Sequence, residues 1–540
     1  MTHVNLMNLM NRIVRSLKLV AMSLLLPGWA FADDTASSAE QSANAAAAPQ
    51  VVITIDNTAP AKPYSPMLFG GFIEHFGRQI YGGLYEPGSP LADENGFRKD
   101  VIAAIKELKV PVVRWPGGCF VSGYHWKDGI GPDRKPVADP VWGVTDPNSF
   151  GTDEFIAWCR LVGAEPYICT NAGNGTPEEM KEWVEYCNAT EGTYAELRQA
   201  NGHEQPFNVK YWSIGNENYG WWEIGRKTPE EWGPMVHKCA GMMRSVDPNI
   251  KLAAAAWLAK REWNLPLLAG AGQDLDYMAV HEYWLRTEKK TPYKDCAKFF
   301  NGPEATITNV IKNLEEAGLR GKVKIAYDEW NLRGWHHPGF PRKGTVQPGD
   351  EKAAEFIAAR AVNDINEHYT MGDALFTASF LNSCLRHCED VGMANIAPIV
   401  NTRGPLFVHP KGIVKRTHFH TLVMYANELE PNVAATDVQP GEKHNLAKEV
   451  DAIATVDQSG KRWAIALVNR QPSEAIRCMV RFGDQPLDGT YDATVLSGDS
   501  PEAFNDVDRP DRVVPSKTRV QFKQGLVTLP PHSLSIIVVR

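Results

Sequence analysis

The sequence predicts an α/β fold, a (β/α)8 TIM barrel followed by a C-terminal all-β sandwich of jelly-roll type. Three observations lead there. Between about residues 66 and 427, eight short apolar runs alternate with amphipathic helical stretches. After Asn427 the texture changes to brief strand-like runs separated by Gly, Pro, Asp and Asn. Several of the earlier runs also end in polar groups, two of them in carboxylates. An open doubly wound sheet would show the same alternation, but no Gly-rich phosphate loop of the G-x-G-x-x-G kind follows an early strand.

In chain order, residues 1–32 have the layout of an export signal. Arg12, Arg15 and Lys18 precede an apolar core at 19–29 and the small-residue site Ala30-Phe31-Ala32. The apolar run is too short to span a bilayer and remain there, so a periplasmic or secreted product is expected. Residues 33–50, rich in Ala and Ser and without aromatics, suggest a disordered spacer. Residues 51–65 open with a strand expected to join the sandwich, 66–427 form the barrel, and 428–540 complete the sandwich. Removing the signal takes the formal charge from −8 to −11, because it holds three basic and no acidic residues. An acidic product without a basic run argues against nucleic acid or an anionic membrane as partner.

The barrel strands are expected at 68–73, 110–115, 165–170, 209–214, 252–256, 278–283, 323–327 and 378–381. Helical stretches fall between them, for example at 153–162, 177–187, 229–246, 305–317 and 352–367. Pro177 and Pro229 each follow a Thr, the arrangement of a Thr N-cap with Pro at the first helical position. The sandwich strands are expected at 452–456, 463–467, 475–482, 491–495, 518–522 and 535–539. Nine cysteines, an odd number for an exported chain, leave at least one unpaired, and most sit in apolar segments as small hydrophobes. No Cys or His cluster has zinc-like spacing, so no metal and no other cofactor is expected. His409, His418 and His420 suggest a solvated loop and helix start.

A barrel of this kind presents its chemistry at the C-terminal ends of its strands. Those ends carry Glu74-His75, Arg114 through Cys119, Asn171, Asn216-Glu217, His281 through Trp284, and Asp328 through Asn331. Polar groups among aromatics suit sugar rings, which pair hydroxyls with a weakly apolar face. Glu217 at the fourth strand and Glu329 at the seventh can flank one bond, the requirement of glycoside hydrolysis. Glu329 is assigned as nucleophile, with Arg114 and Tyr283 in reach to stabilise its charge. Glu217 is assigned as acid/base, with its pKa expected to be raised by the charge of Glu329 and by Trp221 or Trp222. Asn216 is placed to hold the sugar 2-hydroxyl.

The segments GGFIEHFGRQIYGGLYEPGSP, RWPGGCFVSGYHWKDGIGP, GTDEFIAWCRLVGAEPYICTN, YWSIGNENYG, HEYW and DEWN together resemble glycoside hydrolase family 51, the α-L-arabinofuranosidases. The resemblance runs from about residue 69 to 427 and, more weakly, through the C-terminal strands. It implies a retaining enzyme that releases terminal α-L-arabinofuranosyl units from arabinoxylan, arabinan or their oligosaccharides. Position by position, it implies Glu217 as acid/base and Glu329, in DEWN beside Trp330, as nucleophile. It implies sugar contacts for Glu74, Cys119, Asn216, His281 and Tyr283, and Arg114 near the nucleophile. A homo-oligomer is implied by this resemblance alone. Two positions depart from the family: Cys119 stands where many members have Asn, and Pro398 where many have Gln, which bears on sugar specificity. An endo-β-glucanase or β-xylosidase of the same clan would use the same barrel and carboxylates, and a pocket closed by the loops after His281 and Glu329 would favour exo action over endo. A non-catalytic carbohydrate-binding protein would not be expected to keep both carboxylates.

Overall fold

The computed structural model describes residues 48–337, 351–441 and 446–540. The export signal and most of the 33–50 spacer lie outside the described residues. Eight parallel strands close into a barrel in chain order: Gly70–Phe72, Val112–Trp115, Glu165–Thr170, Tyr211–Ile214, Lys251–Ala255, Tyr277–Leu285, Lys324–Arg333 and Val391–Ile396. Val112, Tyr167, Tyr211, Ala253, Ala279, Ala326 and Met393, one from each of strands two to eight, form a single buried cluster. The first strand contributes Gly70, where a Cβ would fall 2.1 Å from Asn395 Oδ1. Among the described residues the lumen is therefore plugged by a packed layer.

The helices begin where the sequence signals them. Thr176 and Thr228 cap the helices Pro177–Asn188 and Pro229–Arg244, each accepting a hydrogen bond from the backbone N–H three residues on. The eighth strand is a correction. The run at 378–381 lies inside the helix Met371–Arg386, in which every residue from Met371 to Leu385 is buried. A helix enclosed on all sides has no polar stripe, so its apolar run resembles a buried strand. The strand actually used, Val391–Ile396, is interrupted by Gly392 and Asn395 and carries a weaker signal. The helix expected over 352–367 is also shorter, spanning Glu351–Ala359 before a 3-10 turn, Arg360–Asp364.

Two sheets make up the sandwich among the described residues. In the first, Val51–Ile55 pairs antiparallel with Thr436–Pro440 and parallel with Ile476–Phe482. The second contains Val450–Val456, Trp463–Asn469, Ser533–Val539, Gly489–Ser497 and Ser516–Phe522 as consecutive neighbours. Val51, Ile53 and Ile55 meet Ala452, Ile465 and Ile537 in one apolar core between the sheets. Burial of this alternating face provides most of the driving force for the sandwich. The buried helix Met371–Arg386 ties barrel to sandwich: Arg386 and Arg470 both bind Asp451 at 2.8 Å, and Arg470 also donates to Ser379 Oγ at 3.0 Å.

All nine cysteines are free, eight of them buried and Cys119 partly exposed. His418 and His420 are buried in the helix Thr417–Glu428 rather than solvated. Burial pushes their imidazoles down to about 3 and about 4, so they pack as neutral rings.

Candidate active site at the barrel rim

Glu329 is aimed by an irregularity in its strand. From Ala279↔Ala326 to His281↔Glu329 the sixth strand advances two residues while the seventh advances three. The eighth strand sees the same extra residue between Tyr327↔Ala394 and Trp330↔Ile396. This bulge breaks the two-residue alternation of side chains. Asp328 and Glu329 consequently both face the rim, while Trp330 turns outward and stacks on Phe380 with ring centroids 3.8 Å apart. Arg114 Nη1 donates to Glu329 Oε1 at 2.7 Å and Tyr283 Oη to Oε2 at 2.8 Å. The glycines before Cys119 make room for this packing: a Cβ on Gly117 would fall 2.3 Å from Glu74 Cγ, and one on Gly118 2.9 Å from Glu329 Oε1.

Glu217 is held differently. Its strand, Tyr211–Ile214, ends three residues earlier, and Gly215 and Glu217 both take left-handed backbone conformations, at φ 69° and 43°. For a non-glycine residue that conformation costs roughly 1 kcal/mol or more. Trp222 Nε1 donates to Glu217 Oε2 at 2.7 Å, and Tyr219 Oη to Oε1 at 3.2 Å. His281 Nδ1 lies 3.0 Å from Glu217 Oε1, and an oxygen of Glu217 lies within 4.8 Å of one of Glu329.

His281 links the charges. Its Nε2 is 3.1 Å from Asp328 Oδ1, opposite the Nδ1 that meets Glu217. Burial would push the imidazole down, but the carboxylates of Glu329 and Asp328 outweigh it and raise it to about 10. Burial likewise favours protonation of Asp328, yet Arg114 Nε at 3.1 Å and His281 hold it below the usual carboxylate range. The expected raised pKa of Glu217 is corrected. Burial does act upward, but His281 and the Trp222 and Tyr219 donors outweigh it, so the carboxyl is lowered. An indole N–H aimed at a carboxylate stabilises the anion, the opposite of the apolar effect expected from Trp222. Burial raises Glu329, opposed by His281 and Arg114. These groups share protons as one cluster. A proton held between His281 Nδ1 and Glu217 Oε1 serves as a neutral acid on Glu217 whenever the imidazole is neutral.

The rim encloses a cavity of about 420 Å³ whose wall includes Glu74, Cys119, Glu217, Tyr283 and Glu329. Loops after strands four, six and seven complete it with Trp221 and Trp222, with Arg286 through Glu288, and with Trp335 through His337. Trp221 stands 68% exposed at its mouth. Glu74 Oε1 accepts from Phe120 N at 2.9 Å and Trp142 Nε1 at 3.1 Å, and burial with the nearby charge of Glu329 raises its carboxyl well above the usual range. Arg114, Asn216 and His281 are almost fully buried; Arg114 and His281 contact the two carboxylates, whereas Asn216 contacts Arg114 and Glu223. Asn216 Oδ1 accepts from Arg114 Nη2 at 2.9 Å, and its Nδ2 lies 4.0 Å from Cys119 Sγ. Pro398 follows the eighth strand through a cis peptide bond.

Sequence reasoning placed Asp328 at the seventh strand's end without a role, and overlooked Trp142 and Glu223. A role for Asp328 was hidden because strict alternation would have turned one of two adjacent carboxylates away. Glu223 lies six residues beyond Glu217 on the same loop, behind two tryptophans, and that proximity was the available signal. Two groupings bring metal-ligand atoms within 4.8 Å of one another among the described residues, Cys119 with Glu217 and Glu223, and Glu217 with His281 and Glu329. Within both, hydrogen bonds between the members occupy ligand atoms, an arrangement suited to moving protons.

Known proteins resemble this chain in sequence and in fold. Residues 104–298 match the family described as alpha-L-arabinofuranosidase 1 domain, and residues 328–533 the alpha-L-arabinofuranosidase C-terminal domain. A probable alpha-L-arabinofuranosidase C of Aspergillus clavatus is 35% identical over 502 residues, covering 88% of this chain and 94% of that protein. An intracellular exo-alpha-(1->5)-L-arabinofuranosidase 1 of Bacillus subtilis is 36% identical over 375 residues, covering 67% of this chain and 72% of its own. Among solved structures, the arabinose complex of the Thermotoga maritima alpha-L-arabinofuranosidase aligns with a TM-score of 0.79 at 33% identity, covering 91% of this chain and 99% of that one.

Proposed function

The chain belongs to the α-L-arabinofuranosidases of glycoside hydrolase family 51, and from that premise we propose that Glu329 and Glu217 carry out its hydrolysis of α-L-arabinofuranosides by double displacement. The observation that carries this reading is the close approach of the two carboxylates, one oxygen of Glu217 lying within 4.8 Å of one of Glu329. Retaining pairs stand roughly 5 Å apart, whereas inverting pairs leave roughly 6.5–9.5 Å for a water. In the first step Glu329 attacks the anomeric carbon while Glu217 gives its proton to the departing glycosidic oxygen. The bond to the leaving group breaks as an ester forms on Glu329, whose negative charge disappears. The Trp222 N–H and the Tyr219 hydroxyl, both donors to Glu217, then stabilise the newly ionised carboxylate. In the second step Glu217 takes a proton from water, the water oxygen bonds to the anomeric carbon, and Glu329 is released as carboxylate.

The finer reading is exo action on terminal units of arabinoxylan, arabinan or arabino-oligosaccharides. It is supported by the loops after His281 and Glu329, both of which line the cavity. A likeness at 13% identity to a bifunctional glucanase-xylanase concerns the fold alone. Hydrolysis of aryl α-L-arabinofuranoside, β-D-xyloside and β-D-glucoside, with the first-formed anomer followed by NMR, tests the proposal. Release of arabinose with retained configuration is expected; preference for xyloside or glucoside, or an inverted first product, overturns it. Export is proposed on the leader alone, and a mature N-terminus at Asp33 in intact-mass measurement is the expected result, with an uncleaved Met1 terminus contradicting it.

A further inference from the structure

Glu223 is a carboxyl for which the mechanism above has no use. It is 6% exposed, has no cation within ion-pairing distance among the described residues, and stands within 4.8 Å of Glu217 through one oxygen. Ser122 Oγ donates to Glu223 Oε2 at 2.6 Å, Asn216 Nδ2 donates to Oε1 at 3.0 Å, and the Cys119 thiol is a further hydrogen-bond partner. One carboxyl thus joins the loop after the second barrel strand, which carries Cys119 and Ser122, to the loop after the fourth, which carries Asn216 and Glu217. Burying such a group in so costly a place calls for an explanation.

The amide of Asn216 supplies one. An amide can be flipped by half a turn at almost no cost in shape, exchanging its oxygen and nitrogen. Here Arg114 Nη2, a donor, fixes the oxygen on one side, and Glu223 Oε1, an acceptor, fixes the nitrogen on the other. We propose that Glu223 is a positioning residue that locks the Asn216 amide in the orientation and place in which it meets the 2-hydroxyl of the sugar at the transition state. Burial, with the charge of Glu217, raises the Glu223 carboxyl to about 8, which weakens its competition with Glu329 for positive charge. The inference rests on the reading of Asn216 as the 2-hydroxyl partner.

The test compares two aryl glycosides, α-L-arabinofuranoside and the same sugar lacking its 2-hydroxyl, in Asn216→Ala, Glu223→Leu and Glu223→Gln variants. Leucine fills the space without accepting a hydrogen bond, whereas glutamine can accept from Asn216 and donate to Ser122. Asn216→Ala and Glu223→Leu should each lower kcat roughly 10- to 100-fold on the full sugar and within about threefold on the 2-deoxy sugar, since displacing a positioned group costs up to that much. Glu223→Gln should restore most of the activity. Ser122→Ala removes one anchor of Glu223, should show the same selectivity at smaller size, and serves where the leucine variant does not fold. Equal losses on both sugars in Asn216→Ala would sink the 2-hydroxyl reading and the inference with it. Selective loss in Asn216→Ala but equal losses in Glu223→Leu, or no rescue by glutamine, would overturn the inference alone.

Discussion

The ends of barrel strands four and seven carry the two carboxylates, and they are built in contrasting ways. Glu329 lies within a ten-residue strand, Lys324–Arg333, paired on both sides, with a buried arginine and a tyrosine on its two oxygens. Glu217 lies beyond a four-residue strand, in a left-handed backbone conformation, held by an indole and a phenol from its own loop and an imidazole from the sixth strand. The ladder suits a nucleophile, which must sit still and stay ionised; the loop suits a group that exchanges a proton twice per turnover. Rigidity and fixed positive charge serve the first, while a shared proton serves the second.

The largest way to break this contrast is to remove the group on the ladder. Glu329→Ala should lose on the order of 10⁴-fold or more in kcat on every aryl arabinofuranoside, because no neighbour can form the ester in its place. Glu217→Ala should depend on the leaving group: roughly 10²- to 10⁴-fold loss on alkyl or sugar leaving groups, and much less on an activated phenol that departs without a proton. Steady-state rates across a series of aryl leaving groups check this, and a loss independent of leaving-group pKa would contradict the acid role. Tyr283→Phe removes one donor from Glu329 and should cost roughly 10- to 100-fold in kcat/KM, the range for a hydrogen bond to a charged group.

A smaller change sharpens the comparison at Glu217. Trp222→Phe removes the N–H that lowers the Glu217 carboxyl, so its proton should be held to higher pH. The limb of the kcat/KM profile that reports loss of the proton shared by His281 and Glu217 should then move upward. A downward move would contradict the sign argued here.

Much of the barrel was legible because its strands are short apolar runs between capped helices, and Thr176 and Thr228 mark those starts by chemistry that needs no tertiary context. The eighth strand was not legible, because burial on all sides erased the polar face of Met371–Arg386 and made a helix resemble a strand. At the site, the positions of Glu217 and Glu329 could be read from strand ends. The bulge that turns Asp328 and Glu329 to the same side could not, since one extra residue in a ladder has no local sequence signature here. Nor could the electrostatics of Glu217, because the sequence shows a tryptophan nearby but not which way its N–H points.

The most direct test of the division of labour is azide rescue of the two alanine variants, with the configuration of the glycosyl azide read by NMR. In Glu329→Ala, azide occupies the nucleophile's place and attacks the substrate once, giving arabinofuranosyl azide of inverted configuration. In Glu217→Ala, azide attacks the ester already formed on Glu329, giving the retained configuration. The account predicts that pairing of variant and product; the opposite pairing would exchange the roles of Glu217 and Glu329 and contradict it.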